Sequence, residues 1–414
     1  MNYFFWFVII IFYLNFAKLE KIVEINFYRD LPSKNTSDYS DFVTTKLYAT
    51  FQVGSFQKNI NFLISFSTPY FSISSDLVEN STSFKALDPD FSFYSKTEFN
   101  SAQRAEEKIK INEKIIINNF KLISDKFGDS KLGLNLNFEN NALLNFSFIK
   151  ELIQNDLIET YDMKMLYNEN NFTHGKIIFG SSPTFKIPMY IERTSIIVFR
   201  VDQVKYQEED FTAELSLDFD SGGILVPGNF YKKIEKFFEP YIKKKTCNYV
   251  VLINKYESTI FCNENFNSFE KIDKIYFNIN DFQFQQSLIL EGRDLFIKVN
   301  NGYLFLIRTS MYYSIDKWVL GAPFIRKYPV TVNIDKKYVG FDFNMDNGNN
   351  DENQNNNNIL PWILLGIFAL VLIIVIGINL YIFVFKKKRK VRANELDDDI
   401  LYEKKPEDER KLGI

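Results

Sequence analysis

Two segments of this 414-residue chain each join an apolar strand to a tight polar turn, and both could take part in acid–base chemistry. Residues 64–71 reach their turn at Ser67, and residues 217–223 reach theirs at Asp220. Two carboxylates held close together share one proton, so that one acts as a base toward water and the other as an acid toward a carbonyl group. Only the second segment supplies a carboxylate, because Ser67 carries a hydroxyl group.

The chemistry left to Asp220 follows from this loss. Without a twin, Asp220 is expected to titrate more nearly as an ordinary, partly buried carboxyl group. A missing general acid or base lowers a rate by about 10²–10⁴. A larger loss is predicted here, because both roles depend on the pair. Ser67 is a poor candidate for a nucleophile, since the only histidine, His174, is expected in a surface loop and no other base is available.

The elements that must position these turns are mostly strands. Aromatic residues make up 17% of the chain, with 44 Phe and 23 Tyr, and such residues favour pleated sheets. Alternating residues at 46–53 and 58–64 predict a hairpin, and residues 108–117 predict a further strand. Only two helices are expected, at 146–158 and 229–238. Many short strands with few helices predict an all-β fold.

Further motifs surround the two turns in a definite order. Residues 318–328 read Trp-x-Leu-Gly-x-x-Phe-x-Arg-x-Tyr, and residues 339–341 follow at a short distance. With the turns, these motifs make the chain resemble the pepsin-like aspartic proteases over about residues 45–343. The other matching segments are Tyr48–Gly54, Phe62–Ser75, Asp129–Leu134 and Gly175–Gly180.

The resemblance implies an all-β, bilobal pepsin-like fold with an N-terminal β lobe at 45–190 and a C-terminal β lobe at 191–345. In this family each lobe contributes an Asp-Thr/Ser-Gly turn to a long cleft. Asp220 is then the retained catalytic residue, and Ser67 stands at the position of the missing Asp. The residues expected to support the turns, with the two hydroxyls knitting them together, are Thr68, Ser221 and Gly222.

Two more departures from the family pattern indicate that hydrolysis is impaired. Pro69 replaces the glycine whose backbone N–H approaches the carboxylates, and proline has no N–H to donate. The substrate-covering flap of the family carries a Tyr followed by Gly, and the corresponding stretch of this chain, residues 100–107, contains neither.

Three functions remain open at this point. The leading one is a membrane-anchored aspartic peptidase homologue, catalytically impaired, that binds an extended peptide or protein in its cleft. The second is an active aspartic-type endopeptidase whose first carboxylate comes from Asp76, from Asp88 or from a homodimer that pairs two Asp220 turns. The third is an adhesion or structural ectodomain in which the cleft has no role.

The ends of the chain predict a type I membrane protein. Residues 1–17 resemble a signal peptide, and residues 359–385 are uncharged and long enough as a helix to cross a bilayer. The basic residues at 386–390 indicate that the tail is cytoplasmic, so that the ectodomain is luminal or extracellular, in the secretory pathway or at the cell surface. The remaining segments are an N-terminal or pro-like segment at 18–44, an Asn-rich linker at 346–358 and a cytoplasmic tail at 386–414.

The predicted ectodomain carries features of a luminal protein. Cys247 and Cys262 are the only cysteines, and they flank two strand-like runs, which predicts a disulfide across the base of a hairpin. Four sequons predict glycosylation, at Asn35, Asn80, Asn145 and Asn171.

Several other classes of function are not expected. The formal charge of −3 argues against a nucleic-acid binder. The sequence contains no glycine-rich phosphate loop and too few ligands for a metal site, so no cofactor is predicted. Lys243–Lys245 is interpreted as a solvated loop.

Overall fold

The computed structural model describes the larger part of the predicted ectodomain and a few residues beyond it. Residues 1–343 form one compact unit and residues 344–414 a second. The described residues are 21–29, 39, 46–88, 92–94, 99–125, 128–135, 146–168, 171–192, 196–252, 257–281, 284–299, 301–310, 317–342, 375–379 and 381.

Most of the predicted membrane-related segments lie outside these residues. This holds for the signal peptide at 1–17, the linker at 346–358 and the tail at 386–414. Of the predicted transmembrane segment 359–385, only residues 375–379, which are helical, and residue 381 are described. Among the described residues, no helix is both long and apolar enough to cross a membrane.

The unit formed by residues 1–343 is built mainly from short strands. Those of the N-terminal lobe are β1 Val23–Arg29, β2 Leu47–Val53, β3 Lys58–Ser65, β4 Ser72–Ser74, β5 Lys85–Asp88, β6 Ser92–Tyr94, β7 Phe99–Lys110, β8 Ile116–Asp125, β9 Lys131–Gly133, β10 Asp162–Asn168, β11 Asn171–Phe179 and β12 Phe185–Ile191.

The C-terminal lobe continues in the same manner. Its strands are β13 Ile197–Arg200, β14 Gln203–Tyr206, β15 Glu209–Phe211, β16 Glu214–Leu217, β17 Ile224–Leu225, β18 Cys247–Val251, β19 Glu257–Asn263, β20 Ile275–Asp281, β21 Phe284–Leu290, β22 Phe296–Val299, β23 Gly302–Phe305, β24 Ile307–Ser310, β25 Trp318–Leu320, β26 Val330–Asn333 and β27 Tyr338–Phe341. The described helices are α1 Phe148–Gln154, α2 Gly228–Lys243 and α3 Ala322–Lys327, with 3₁₀ turns η1 Ser75–Leu77, η2 Phe269–Lys271 and η3 Gly292–Leu295.

The structure confirms the predicted hairpin and both predicted helices but contradicts one of the predicted strands. The hairpin at 46–64 is confirmed, because β2 and β3 pair in antiparallel register. The two predicted helices are confirmed as α1 and α2, and α2 extends five residues beyond its predicted end at residue 238. The single strand predicted at 108–117 is wrong. The chain turns there between β7 and β8, because Asn112 caps a tight turn by accepting the backbone N–H of Ile115 at 3.0 Å.

A central sheet joins the beginning and the end of the unit. Strand β1, from the predicted segment 18–44, pairs with β11 and with β2. Strand β10 pairs with β26, and β12 pairs with β27, so the N-terminal lobe is hydrogen-bonded to the last strands of the C-terminal lobe. Alternate residues of β1 are buried, as expected for a strand with one face against the core.

The strands around the two polar turns follow one plan. In the N-terminal lobe, β3 runs parallel to β9, and β4 runs parallel to β8 and antiparallel to β9. In the C-terminal lobe, β16 runs parallel to β25, and β17 runs parallel to β24 and antiparallel to β25. Each turn therefore leaves one parallel pair and enters another, and this arrangement fixes its position.

Aromatic side chains fill the cores behind both turns. In the N-terminal lobe, the rings of Phe62 and Phe71 lie 4.6 Å apart, and Phe71 lies 5.0 Å from Phe120. In the C-terminal lobe, Trp318 is fully buried, with its ring 4.5 Å from that of Phe230. Such pairs add about 0.5–1.5 kcal/mol each to the free energy gained by burying their surface.

Candidate functional site

Ser67 and Asp220 line the same cavity, which has a volume of about 250 Å³. Both side chains are exposed to it, each at the turn that follows its strand, β3 or β16. The two segments singled out in the sequence are therefore brought together as expected, with a hydroxyl and a carboxyl group facing one space.

Two glycines show that the turns are structural equivalents. A Cβ atom added to Gly133 would lie 2.6 Å from the carbonyl oxygen of Thr68, and one added to Gly321 would lie 2.6 Å from that of Ser221. Thr68 and Ser221 follow Ser67 and Asp220 directly. Ser67 therefore occupies, in its own lobe, the position that Asp220 occupies in the other.

The position after each hydroxyl residue differs between the turns. Gly222 is buried behind Ser221, whereas the equivalent position in the first turn holds Pro69. A proline in this position offers no backbone N–H to a group bound in the cavity. The first turn thus lacks both the carboxylate and one of its backbone donors.

Each turn is capped by the residue two positions before the site, and the sequence analysis did not identify these residues. The hydroxyl of Ser65 accepts the backbone N–H of Thr68 at 3.2 Å. The Oδ1 atom of Asp218 accepts the backbone N–H groups of Asp220, at 3.1 Å, and Ser221, at 3.2 Å. Asp218 also lines the cavity. The signal was present in the sequence, because residues two apart at a strand end point to the same face.

The hydroxyl of Ser67 forms local contacts. It lies 3.0 Å from the hydroxyl of Ser65, and the backbone carbonyl of Ser67 accepts the side-chain amide of Asn135 at 2.8 Å. His174 is exposed and lies on strand β11 rather than in the surface loop predicted for it, and it does not line the cavity. His174 therefore cannot serve as the base that a nucleophilic Ser67 would require.

The hydroxyls of Thr68 and Ser221 were expected to link the two turns. Their described hydrogen bonds instead lie within their own lobes. Thr68 Oγ1 accepts the hydroxyl of Ser65 at 2.9 Å. Ser221 Oγ donates to the carbonyl of Gly223 at 3.0 Å and accepts Arg308 Nη2 at 2.8 Å. Arg308 is buried and is held by Glu257, so the second turn is tied to strand β24 behind it.

Asp220 does not titrate as an ordinary carboxyl group. Although its side chain is open to the cavity, desolvation by the surrounding protein and the negative charge of Asp218 raise its pKa from 3.8 to about 7, while Arg29 acts in the opposite direction. Arg29 is buried on β1, where it donates to the hydroxyl of Tyr167 at 2.7 Å. The expected near-ordinary titration is therefore wrong. The carboxyl group faces the cavity but is surrounded by protein, and a second carboxylate lies beside it.

The structure places the flap hairpin differently from the sequence analysis. Residues 100–107, assigned to the flap, belong to strand β7, and residues 102–107 pair with β8. The pairing of Tyr94 with Phe99 places the hairpin turn before that stretch. Residues 95–98, between β6 and β7, lie outside the described residues, and the stretch predicted to be the flap is part of a strand.

The two alternative acids, Asp76 and Asp88, are not among the described residues that line the cavity. Asp76 is exposed in η1 and accepts a hydrogen bond from Ser74, which lowers its pKa. The backbone of Asp88 ends β5, where it pairs with Arg104, and its side chain lies outside the described residues. Asp218 is instead the carboxylate that accompanies Asp220.

The predicted disulfide is confirmed, while the sequons remain predictions. Cys247 and Cys262 are bonded and lie opposite each other in the β18–β19 hairpin. Asn80 is exposed in a turn after η1. Asn35, Asn145 and the side chain of Asn171 lie outside the described residues.

No protein-family model matches the chain, and no curated protein sequence matches it. Solved structures do match it. Basic 7S globulin from soybean has a TM-score of 0.56 and 13% identity, covering 78% of this chain and 96% of the globulin. Conglutin gamma, a unique basic 7S globulin from lupine seeds, has a TM-score of 0.56 and 10% identity, covering 79% of this chain and 96% of conglutin gamma.

At these identities the likeness shows the fold alone. Both seed globulins have the pepsin-like fold, and the mostly-β, bilobal fold predicted from the sequence is thereby confirmed. The high coverage means that nearly the whole globulin fold is present in this chain. Function has to be argued from the site.

Proposed function

We propose that this protein is a pepsin-like peptidase homologue that does not hydrolyse peptides efficiently and binds an extended peptide or protein segment in its cleft. One observation carries this proposal. At the two equivalent turns that face one cavity, Asp220 stands on one side and Ser67 on the other. A hydroxyl group cannot share a proton with Asp220 as a second carboxylate would, so water is not activated between them.

The cavity supports binding for two reasons. Its walls are largely apolar, and apolar cavities with a few polar groups are the usual form of ligand sites. The side chains of Ser67, Asp218 and Asp220 supply these polar groups, which can bond to a bound peptide.

The test of the chemistry is a fluorogenic peptide-library assay of the full-length chain at acidic pH, with and without the aspartic-protease inhibitor pepstatin. We expect the unmodified protein to show no pepstatin-sensitive cleavage. The double variant Ser67→Asp/Pro69→Gly should gain it, because the second carboxylate and the backbone N–H are restored together. The matched control is Ser67→Asn/Pro69→Gly, which has nearly the same shape but no second carboxylate and should stay inactive.

Binding is measured separately from cleavage. Labelled peptides of extended sequence are titrated with the unmodified protein, and fluorescence anisotropy reports the complex. Saturable binding without cleavage supports the proposal. Absence of binding for a broad peptide library would instead favour the adhesion or structural role.

If the protein is an active endopeptidase, Asp218 is the candidate for its second carboxylate. It is a second carboxylate at the cavity, although it lies in the same turn as Asp220 and its Oδ1 is already bonded to two backbone N–H groups. If the unmodified protein cleaves peptides and both Asp220→Asn and Asp218→Asn abolish cleavage, this pair performs the reaction and the proposal of an impaired site is wrong.

We further propose that the protein is anchored as a type I membrane protein through residues 359–385, with the lobes in the lumen or outside the cell. The uncharged segment followed by basic residues supports this proposal. Alkaline extraction of membranes and accessibility of the tail to protease in sealed vesicles test it. A mobility shift on deglycosylation that is smaller in Asn80→Gln than in the unmodified protein tests modification at the exposed sequon.

A further inference from the structure

The cavity at Asp220 is small and has mostly apolar walls. Its volume of about 250 Å³ lies below the ~300–1,000 Å³ of typical small-molecule pockets, so it suits a single side chain better than a whole organic ligand. Its apolar lining includes Leu134, Met163, Ile191, Ile196, Ile197 and Val319.

Two carboxyl groups break this apolar lining, and both can accept further hydrogen bonds. The Oδ1 atom of Asp218 is engaged by backbone N–H groups, but its Oδ2 atom has no hydrogen-bond partner within the described part of the chain. The described residues also donate no hydrogen bond to the carboxyl oxygens of Asp220. Partly buried carboxylates of this kind are stabilised when a ligand supplies the missing donors and a positive charge.

The cations nearby are already engaged. Lys317 lines the cavity, but its Nζ atom lies 2.6 Å from Glu192 Oε1. Arg29 acts on the charge of Asp220 from strand β1 and donates to Tyr167. Asp218 is therefore the carboxylate at the cavity for which the described residues provide no cation.

We propose that this cavity binds the side chain of a lysine or arginine residue of the bound peptide. The aliphatic stem packs against Ile191, Ile196 and Ile197, and the cationic head lies at Asp218. This inference rests on the proposed peptide-binding function. Lysine and arginine combine an apolar stem with a charged head, which is the combination that the cavity complements. Asp218 thereby acts as the specificity-determining residue.

The test uses the full-length chain in detergent and fluorescent peptides that differ at one position, which holds Lys, Arg, norleucine or Glu. Anisotropy is measured at about pH 8, where Asp220 is also largely ionised. We expect the Lys and Arg peptides to bind about tenfold more tightly than the norleucine peptide, because the charge pair forms in a partly desolvated cavity.

The decisive variant is Asp218→Asn, whose amide oxygen still accepts the two backbone N–H groups but carries no charge. It should reduce the preference for Lys over norleucine to about twofold or less. Asp210→Asn is the matched control, since Asp210 is exposed on β15, bonded to Gln203 and absent from the cavity lining. It should leave the preference unchanged. An equal loss in both variants would contradict the inference.

A pH titration of the unmodified protein gives a second readout that needs no variant. Lowering the pH from about 8 to about 5 protonates Asp220 and should reduce the preference for Lys over norleucine. The charged and titratable groups that act on Asp220 are Asp218, Arg29 and Tyr167, and Lys317 lines the same cavity.

The outcomes separate this inference from the function on which it rests. If Lys and norleucine peptides bind the unmodified protein equally well, the cation site is wrong while peptide binding stands. If no peptide binds under any condition, both are wrong. Tighter binding of the Glu peptide would also overturn the cation site, since it would show that Lys317 rather than Asp218 governs the cavity.

Discussion

The rings of Phe66 and Phe219 stack across the two lobes with centroids 4.7 Å apart and planes 25° from parallel. Each phenylalanine stands directly before its site residue, Ser67 or Asp220. This contact links the two turns directly, whereas the described bonds of the supporting hydroxyls stay within each lobe. We expect a double-mutant cycle of Phe66→Leu and Phe219→Leu to give a coupling free energy of about 0.5–1.5 kcal/mol in urea unfolding. Additive effects would show that the stack does not join the turns.

The raised pKa of Asp220 predicts a pH dependence of stability. The folded-state pKa of about 7 lies above the ordinary value of 3.8, so the folded protein holds a proton that the unfolded chain releases. The free energy of unfolding contributed by this group is greatest below the ordinary value and falls as the pH rises through about 7. Asp220→Asn should remove this dependence and be more stable than the unmodified protein at alkaline pH.

The measurement is the difference in melting temperature between the unmodified protein and Asp220→Asn across the same pH range. Taking the difference cancels the titration of other groups. The variant Asp218→Asn should lower the pKa of Asp220, because it removes one of the two causes of the shift. A difference that does not change with pH would contradict the assigned environment.

Gly321 is predicted to be essential for the position of the Asp220 turn. An added Cβ atom would lie 2.3 Å from the carbonyl oxygen of Gly223, far inside van der Waals contact with backbone. We expect Gly321→Ala to destabilise the protein by about 1–3 kcal/mol or more in urea unfolding. Gly228→Ala is the matched control, since nothing lies within 4 Å of its added Cβ. Comparable losses in both variants would show that the close packing is not the cause.

Protonation of Asp162 is expected to lower the stability of the protein in acid. Burial acts to raise its pKa, but hydrogen bonds from Tyr338, Asn333, Ser182 and Thr160 together lower it. Its stabilising contribution is present above the ordinary carboxyl pKa and is lost as the pH falls through the lowered value. Asp162→Ala should cost about 3 kcal/mol or more at neutral pH, because it leaves buried donors unsatisfied. Urea unfolding measures the loss of stability in acid and the cost of the substitution. An Asp162→Ala variant as stable as the unmodified protein would contradict the assigned role.

The disulfide predicts a moderate gain in stability. The two cysteines are 15 residues apart, and closing a loop of that length stabilises a fold by about 3 kcal/mol through the unfolded state. We expect Cys247→Ala/Cys262→Ala to unfold at lower urea concentration while retaining the β18–β19 hairpin. Since the pair lies outside the cavity, peptide binding should persist. Loss of binding with full folding would place the hairpin in the ligand site.

Part of the site could be predicted because it depends on local chemistry. The tight turns after β3 and β16, the absence of a carboxylate at Ser67 and the pairing of the two cysteines all follow from residue types and short spacings. The flap was misplaced by several residues for the opposite reason. Turn-forming residues occur at several positions around it, and only the pairing of β6 with β7 shows that residues 100–107 lie within a strand.

The sequence by itself determined that two equivalent turns exist and that only one of them has a carboxyl group. Both features depend on residues that are neighbours in the chain. Only the tertiary structure decided how Asp220 behaves. Asp218 is only two residues away, but Arg29 comes from strand β1, far away in the chain, and the pKa of Asp220 depends first of all on its burial in the folded protein. Electrostatic free energies depend on distance in space and on the surrounding medium, and neither quantity can be obtained from separation along the chain.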